Sequence, residues 1–176
     1  MLAASCSVNY DTVYETEGTV PELMLDDAVF SRVRDSKSVA EIQSKRLEEF
    51  KDGGVVLAKD IQFTTKTDGG EVSSFGSAGL MKADPQKEVY EFFNGIKIEA
   101  PEKGLVIEGE SLRWNGKSEQ LVGERGKPLT IKKDGMTLRG SGFSASAVSQ
   151  SFSFSSNVSG IYVEKKSEEK EEDGQE

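Results

Sequence analysis

Histidine is absent from all 176 residues, which removes the commonest general base and metal ligand. The single cysteine, Cys6, excludes an intramolecular disulfide framework and any cysteine-rich zinc site. No apolar run approaches the ~20 residues that a membrane-spanning helix needs. No G-x-x-x-x-G-K-S/T loop is present, so the chain has no such phosphate cradle for nucleotide chemistry. Positive charge is in short supply. The 22 lysines and arginines face 31 acids, a net charge of -9, which argues against nucleic acid as a partner. Together these absences point away from an enzyme and from any metal or cofactor.

What is present suits one soluble domain with a single sizeable core: 35% hydrophobic and 30% charged residues. The charge is unevenly spread. Residues 164–176 (EKKSEEKEEDGQE) hold seven acids, three lysines and no apolar side chain, so 165–176 is expected to be a disordered, solvating tail. The stretch 113–139 is the opposite, with Arg113, Lys117, Arg125, Lys127, Lys132, Lys133 and Arg139 against Glu119, Glu124 and Asp134. It reads either as lysine-bearing strand faces or as a rim that meets phosphates or an acidic partner. Adjacent carboxylates such as Asp26/Asp27 and Glu48/Glu49 fall on opposite faces of a strand and read as solvated surface. They have no calcium-loop pattern.

Near the start, residues 2–6 read LAASC. Small residues directly before a cysteine resemble a bacterial lipobox, so Cys6 is the expected lipidation site. The usual leucine three places before the cysteine is here Ala3, with Leu2 one further back, and no charged, apolar leader precedes it. Residues 1–20 then read as this lipobox-like start followed by a flexible tether.

The middle of the chain repeats. Leu47, Leu80, Leu112 and Phe143 recur at spacings of 31–33 residues. Val55, Val89, Leu121 and Phe152 fall in step, as do the pairs Ile61/Phe63, Ile96/Ile98, Leu129/Ile131 and Ile161/Val163. Within each unit the period is two, as in 129–132 (LTIK), 136–139 (MTLR) and 152–155 (FSFS). That is the half-buried antiparallel pattern, one face apolar and one wet. Asp68-Gly69-Gly70, Asn94-Gly95, Lys103-Gly104, Asn115-Gly116 and Asp134-Gly135 supply turn signals between the runs. Gly140 and Gly142 mark a bulge. One segment dissents: Ser38 and Glu41 form a capping box before Val39, Ile42, Leu47 and Phe50, which favours a helix over 39–51. The repeat favours strands there, and the repeat is preferred because tertiary context overrides local propensity. The expected fold is all-β: repeated antiparallel strands in a twisted, two-layered open sheet.

Three phrases carry a family resemblance. They are the opening segment 20–30 (VPELMLDDAVF), the recurring unit seen at 105–114 (LVIEGESLRW) and 136–145 (MTLRGSGFSA), and the closing phrase 152–160 (FSFSSNVSG). Residues 21–164 resemble the LptC family, the membrane-anchored periplasmic component of lipopolysaccharide export, which is in turn similar to the soluble LptA bridge. The resemblance implies an LptA/LptC-like β-jellyroll with no catalytic residues and an apolar slot between its layers. It implies lipopolysaccharide or another glycolipid as cargo, delivered by an inner-membrane ABC transporter of the Lpt type. It further implies an LptA-like partner joined by edge-strand pairing, and a periplasmic location. The family usually carries an N-terminal membrane helix. Here a lipidated Cys6 would be the anchor.

The slot candidates are apolar residues at alternating positions: Ile61, Phe63, Phe75, Phe92, Ile96, Ile98, Ile107, Leu112, Trp114, Leu129, Ile131, Met136, Leu138, Phe143, Phe152, Phe154 and Val158. Singly, each also reads as ordinary core. The small residues Ser144, Ala145, Ser146 and Ala147 either leave room between layers or permit tight sheet packing. Two further functions stay open, a structural β-sheet surface lipoprotein without lipid cargo and an LptA-like soluble bridge.

Overall fold

The structure, a computed structural model, describes residues 20–50, 54–149 and 151–163. Cys6, most of the expected tether and the acidic tail lie outside the described residues. Among the described residues, twelve strands form one antiparallel sheet. Six long strands come first: β1 (Leu23–Arg34), β2 (Lys37–Phe50), β3 (Val55–Lys66), β4 (Val72–Asp84), β5 (Val89–Ala100) and β6 (Leu105–Asn115), paired in chain order. Six short ones follow: β7 (Gln120–Gly123), β8 (Leu129–Lys133), β9 (Met136–Ser141), β10 (Ser144–Ser146), β11 (Ser151–Ser153) and β12 (Ser156–Tyr162). A 3-10 turn, Pro101–Lys103, joins β5 to β6.

The ladder is interrupted along one line that crosses the whole sheet. It passes Asp27, Asp60, Gly79 and Asn94–Gly95, where paired positions are skipped or the register shifts. Asp27, Asp60, Asn94 and Gly95 hold φ of 50°, 49°, 64° and 74°. Such left-handed residues bend a strand as bulges do. Beyond β5 the line becomes an open break. The C-terminal half of β6 pairs with β7, while its N-terminal half pairs with β8. Residues 124–128, 142–143 and 154–155 then separate β7 from β8, β9 from β10 and β11 from β12. The sheet folds over along this crease into two layers. Layer I ends in β7, β10 and β11, and layer II in β8, β9 and β12. Phe63 of β3 and Phe92 of β5 show the facing, because their strands are not paired yet their ring centroids are 5.7 Å apart.

The inner faces read as rows across the strands. In layer II, Phe30, Ile42, Phe63, Gly76, Ile98, Ile107, Ile131, Leu138 and Gly160 are successive register partners. In layer I the corresponding row is Leu25, Leu47, Ala58, Met81, Phe92, Leu112 and Gly123. Cross-strand rows of this kind are the unit of sheet stabilisation. One repeat is therefore one full passage of the chain, out and back across the crease. The spacing holds, but the expected columns are one residue off in places. Met81, not Leu80, partners Ala58 and Phe92, because the step across the crease from Ala78 to Met81 takes three residues, as does the step from Ala58 to Ile61 on β3. Ile161 pairs with Thr137 on the outer face and is 68% exposed.

The all-β, two-layered open sheet expected from the sequence is what forms. The helix alternative at 39–51 gives way to β2, which gains a full ladder on each side, with β1 and with β3. A capping box satisfies two backbone donors, whereas the two ladders satisfy nearly every one in the strand. Asn94-Gly95 is not a hairpin turn, as expected, but part of the crease inside β5. The same positive φ that tight turns demand also serves a bend within a strand.

At the crease the register partners are three small residues and one large one, Ala28, Ser44, Ile61 and Ala78. Ser44 is 5% exposed and its hydroxyl has no hydrogen-bond partner. A buried unmade hydrogen bond costs ~1–3 kcal/mol. Ser44→Ala is accordingly expected to stabilise the fold by about 1 kcal/mol, raising the melting temperature by roughly 2–4 °C. A fall in thermal midpoint on that substitution would mean that the hydroxyl is satisfied in solution.

Candidate functional site

The two layers do not close equally along the sheet. Around Ile61, Met81, Phe63 and Phe92 they meet in a packed core. Toward the C-terminal strands they part around a cavity of about 680 Å³. Layer I supplies Trp114, Leu121, Phe143, Ala145 and Phe152, and layer II supplies Leu105, Ile107 and Ile131. The period of two explains the lining: Trp114, Leu121, Ala145 and Phe152 are successive register partners on β6, β7, β10 and β11. Ala145 is the small member of that row, and its missing bulk opens the space. At ~30 Å³ for a methylene-sized group, the share of liquid volume that a water takes, the cavity holds on the order of twenty chain carbons.

The mouth lies between the layer tips, opposite the crease. Glu102, Lys103 and Gly104 of the β5–β6 turn, Lys133 and Asp134 at the β8–β9 turn, and Ser146, Ala147 and Ser151 around the β10–β11 turn form it. The four charged lining residues are all at this lip, so the walls below it are apolar apart from small hydroxyls. An apolar interior under a charged rim suits a ligand with an apolar body and a polar head. Phe143 and Phe152 make the end wall, with centroids 6.4 Å apart, and Phe154 packs on Phe143 at 5.4 Å. Gly140 makes the room for this packing, because a Cβ there would stand 2.8 Å from the Phe154 ring.

Elsewhere the carboxyl of Asp84 is held below its usual range by hydrogen bonds from Lys87, and Lys97 is raised by its bond to Glu99. Neither group lines the cavity. A second hollow, about 490 Å³, follows the crease and mixes Asp27, Gln43, Asp60 and Gln62 with Ala28, Val29, Ile61 and Ala78.

Five of the seventeen sequence candidates line the cavity: Ile107, Trp114, Ile131, Phe143 and Phe152. Ile61, Ile96, Leu112 and Leu129 are buried in the core, with Phe63, Phe92, Ile98 and Phe154 packed against it. Met136 and Leu138 are half-buried on β9. Phe75 is 38% exposed and in register with Thr64 and Glu99, on the outer side of layer II, and Val158 is exposed on the edge strand β12. Leu105, Leu121 and Ala145 were not among the candidates, although they continue the same alternation. Of the 144–147 stretch, Ala145, Ser146 and Ala147 line the cavity.

No family model matches the chain, and no curated protein is similar to it. What stands is the architecture: an open, elongated, twisted antiparallel sheet, consistent with a jellyroll-type fold and compatible with groove-type lipid binding.

Proposed function

We propose that this protein is a non-enzymatic, periplasmic lipid-transport factor. It accepts lipopolysaccharide or a related glycolipid from an inner-membrane ABC transporter of the Lpt type and hands it to an LptA-like bridge protein. The observation that carries the reading is the apolar cavity between the layers, open at a charged lip. An acyl chain in it escapes water at ~0.8 kcal/mol per methylene. A multi-chain lipid wholly engulfed would not leave, so an open slot that takes part of the lipid suits transfer. Both sheet edges support hand-over. β1 and β12 are exposed along nearly their whole length, with Val29, Phe30, Val33, Val158, Ile161 and Tyr162 showing. Exposed edges invite strand addition. The sheet has nine strand positions, so both edges run from layer I to layer II. A partner of the same fold in the same orientation therefore joins by parallel pairing. Lipidation of Cys6 supplies the anchor in this reading.

A structural β-sheet lipoprotein without cargo is the second reading, favoured by the sealed packing around Phe63 and Phe92. In-cell photo-crosslinking separates them. With a photoreactive residue at Phe152, on the cavity wall, a lipid adduct is expected. At Ser153, on the opposite face of β11, none is expected. Silence at both positions, with the protein folded and export active, would leave the structural reading. An unmodified Cys6 by mass would favour a soluble bridge.

A further inference from the structure

The charged lip holds Glu102, Lys103, Lys133 and Asp134, two charges of each sign. One of the four differs in where its strand places it. Along β8, Leu129 and Ile131 are 2% and 1% exposed and face the interior. The period of two puts Lys133 on that same inner face, while Thr130 and Lys132 face out. The outward Lys132 is satisfied by Glu108 at 2.8 Å. Lys133 has no ion-pair partner among the described residues and lines the mouth directly above Ile131. Its register partner on β6 is Leu105, another wall residue. On the neighbouring strands the tip positions of this inner face are Ala100, Leu105 and Met136, all apolar. A lysine in such a row keeps its stem on the apolar wall and its ammonium at the water boundary. The Oδ1 of Asp134 lies 3.2 Å from where a Cβ on Gly104 would be, and no ion pair joins Asp134 to Lys133 among the described residues.

We infer that Lys133 selects, among chain-bearing ligands, those with an anionic group next to the alkyl chain, with a phosphate monoester the best fit. The ammonium is a point charge with three donors, at the place where a head group meets the lip when its chain lies against Ile131. This rests on the proposed acyl slot, and the test keeps the two apart. Trp114, the only tryptophan, lines the cavity, so its fluorescence reports a brominated chain inside. The full chain is titrated with ω-bromododecyl phosphate and with ω-bromododecanol. The phosphate is expected to bind about tenfold more tightly at low salt, the size of one to two exposed charge contacts. The advantage should shrink as salt screens it. Lys133→Met, which keeps the apolar stem, is expected to bring the ratio near one. Equal binding of the two ligands by the unaltered protein, or an unchanged ratio in K133M, overturns the inference and leaves the slot standing. No quenching by either ligand overturns the slot, and the inference with it. Reversal of the quench by inorganic phosphate alone, lost in K133M, would make Lys133 a site for free phosphate and overturn the lipid assignment.

Discussion

Ala145→Phe is expected to abolish most chain binding while leaving the fold as stable as before or slightly more so. Ala145 sits on the inner face of β10 between Leu121 and Phe152, and it is the small side chain that keeps the cavity open. A phenyl ring there takes the room of roughly four chain carbons. At ~0.8 kcal/mol per methylene the loss is about 3 kcal/mol, or roughly a hundredfold in affinity for bromododecanol. The same ring gains apolar contacts with Trp114, Leu121 and Phe152, so no penalty in stability is expected. The comparison that gives this meaning is Ala58→Phe. Ala58 is fully buried in the sealed part of the sandwich, so a ring there overpacks and costs stability without touching the slot. Fluorescence titration beside thermal melting reads both quantities. Undiminished quenching in A145F would mean that the chain does not lie between the layers, and the proposed function would lose its support.

Fold class was legible because period-two alternation is a backbone property. Segments such as 129–132 and 136–139 bury one face whichever neighbours they find, and the structure puts them on paired strands. The 31–33-residue spacing was also a true signal, since it measures one out-and-back passage across the crease. The crease itself was not legible. Asn94-Gly95 carries the chemistry of a tight turn, and Asp27 and Asp60 look like ordinary surface acids. Their left-handed φ is imposed by neighbouring strands that bend at the same level. The one-residue slip at Met81 has the same origin, because the step across the crease from Ala78 to Met81 takes three residues where strict alternation takes two. The slot was half legible. Alternation finds inward positions, but it cannot distinguish Ile61, sealed in the core, from Ile131, on a cavity wall. That difference depends on how far the layers part, which Ala145 and the breaks at 124–128 and 142–143 decide from a distance.

The division of the sandwich has a mechanical logic. Ladders β1 to β6 are long and continuous with the core, and they hold the two layers at a fixed separation. Past β6 each strand is cut at the crease, so the layers there are tied by short segments rather than by unbroken strands. Shorter pairing and a cavity in place of core mean lower local stability. A site that must take up and release a chain belongs at that end of the sheet.

Phe143→Ala is expected to cost about 4 kcal/mol, the range for truncating a buried phenylalanine. Against a typical 5–15 kcal/mol of total stability that is a large fraction, and the thermal midpoint should fall by roughly 10–15 °C. Phe143 is 2% exposed and stands at the break between β9 and β10, where it joins the core cluster and touches both Phe152 and Phe154. It therefore ties the loosened end to the closed one. Phe152→Ala is the matched control. That ring is 43% exposed and belongs to the same cavity wall, so about 1 kcal/mol is expected. Urea denaturation of the two variants gives the difference directly. If the two cost the same, the C-terminal strands unfold apart from the core, and Phe143 is a wall residue without also being a tie. The ligand reads the other half of the argument. Removing the Phe143 ring enlarges the slot, so bromododecanol should still quench Trp114 below the lowered melting point. Loss of stability with binding retained is the signature of a wall residue that also ties the two layers.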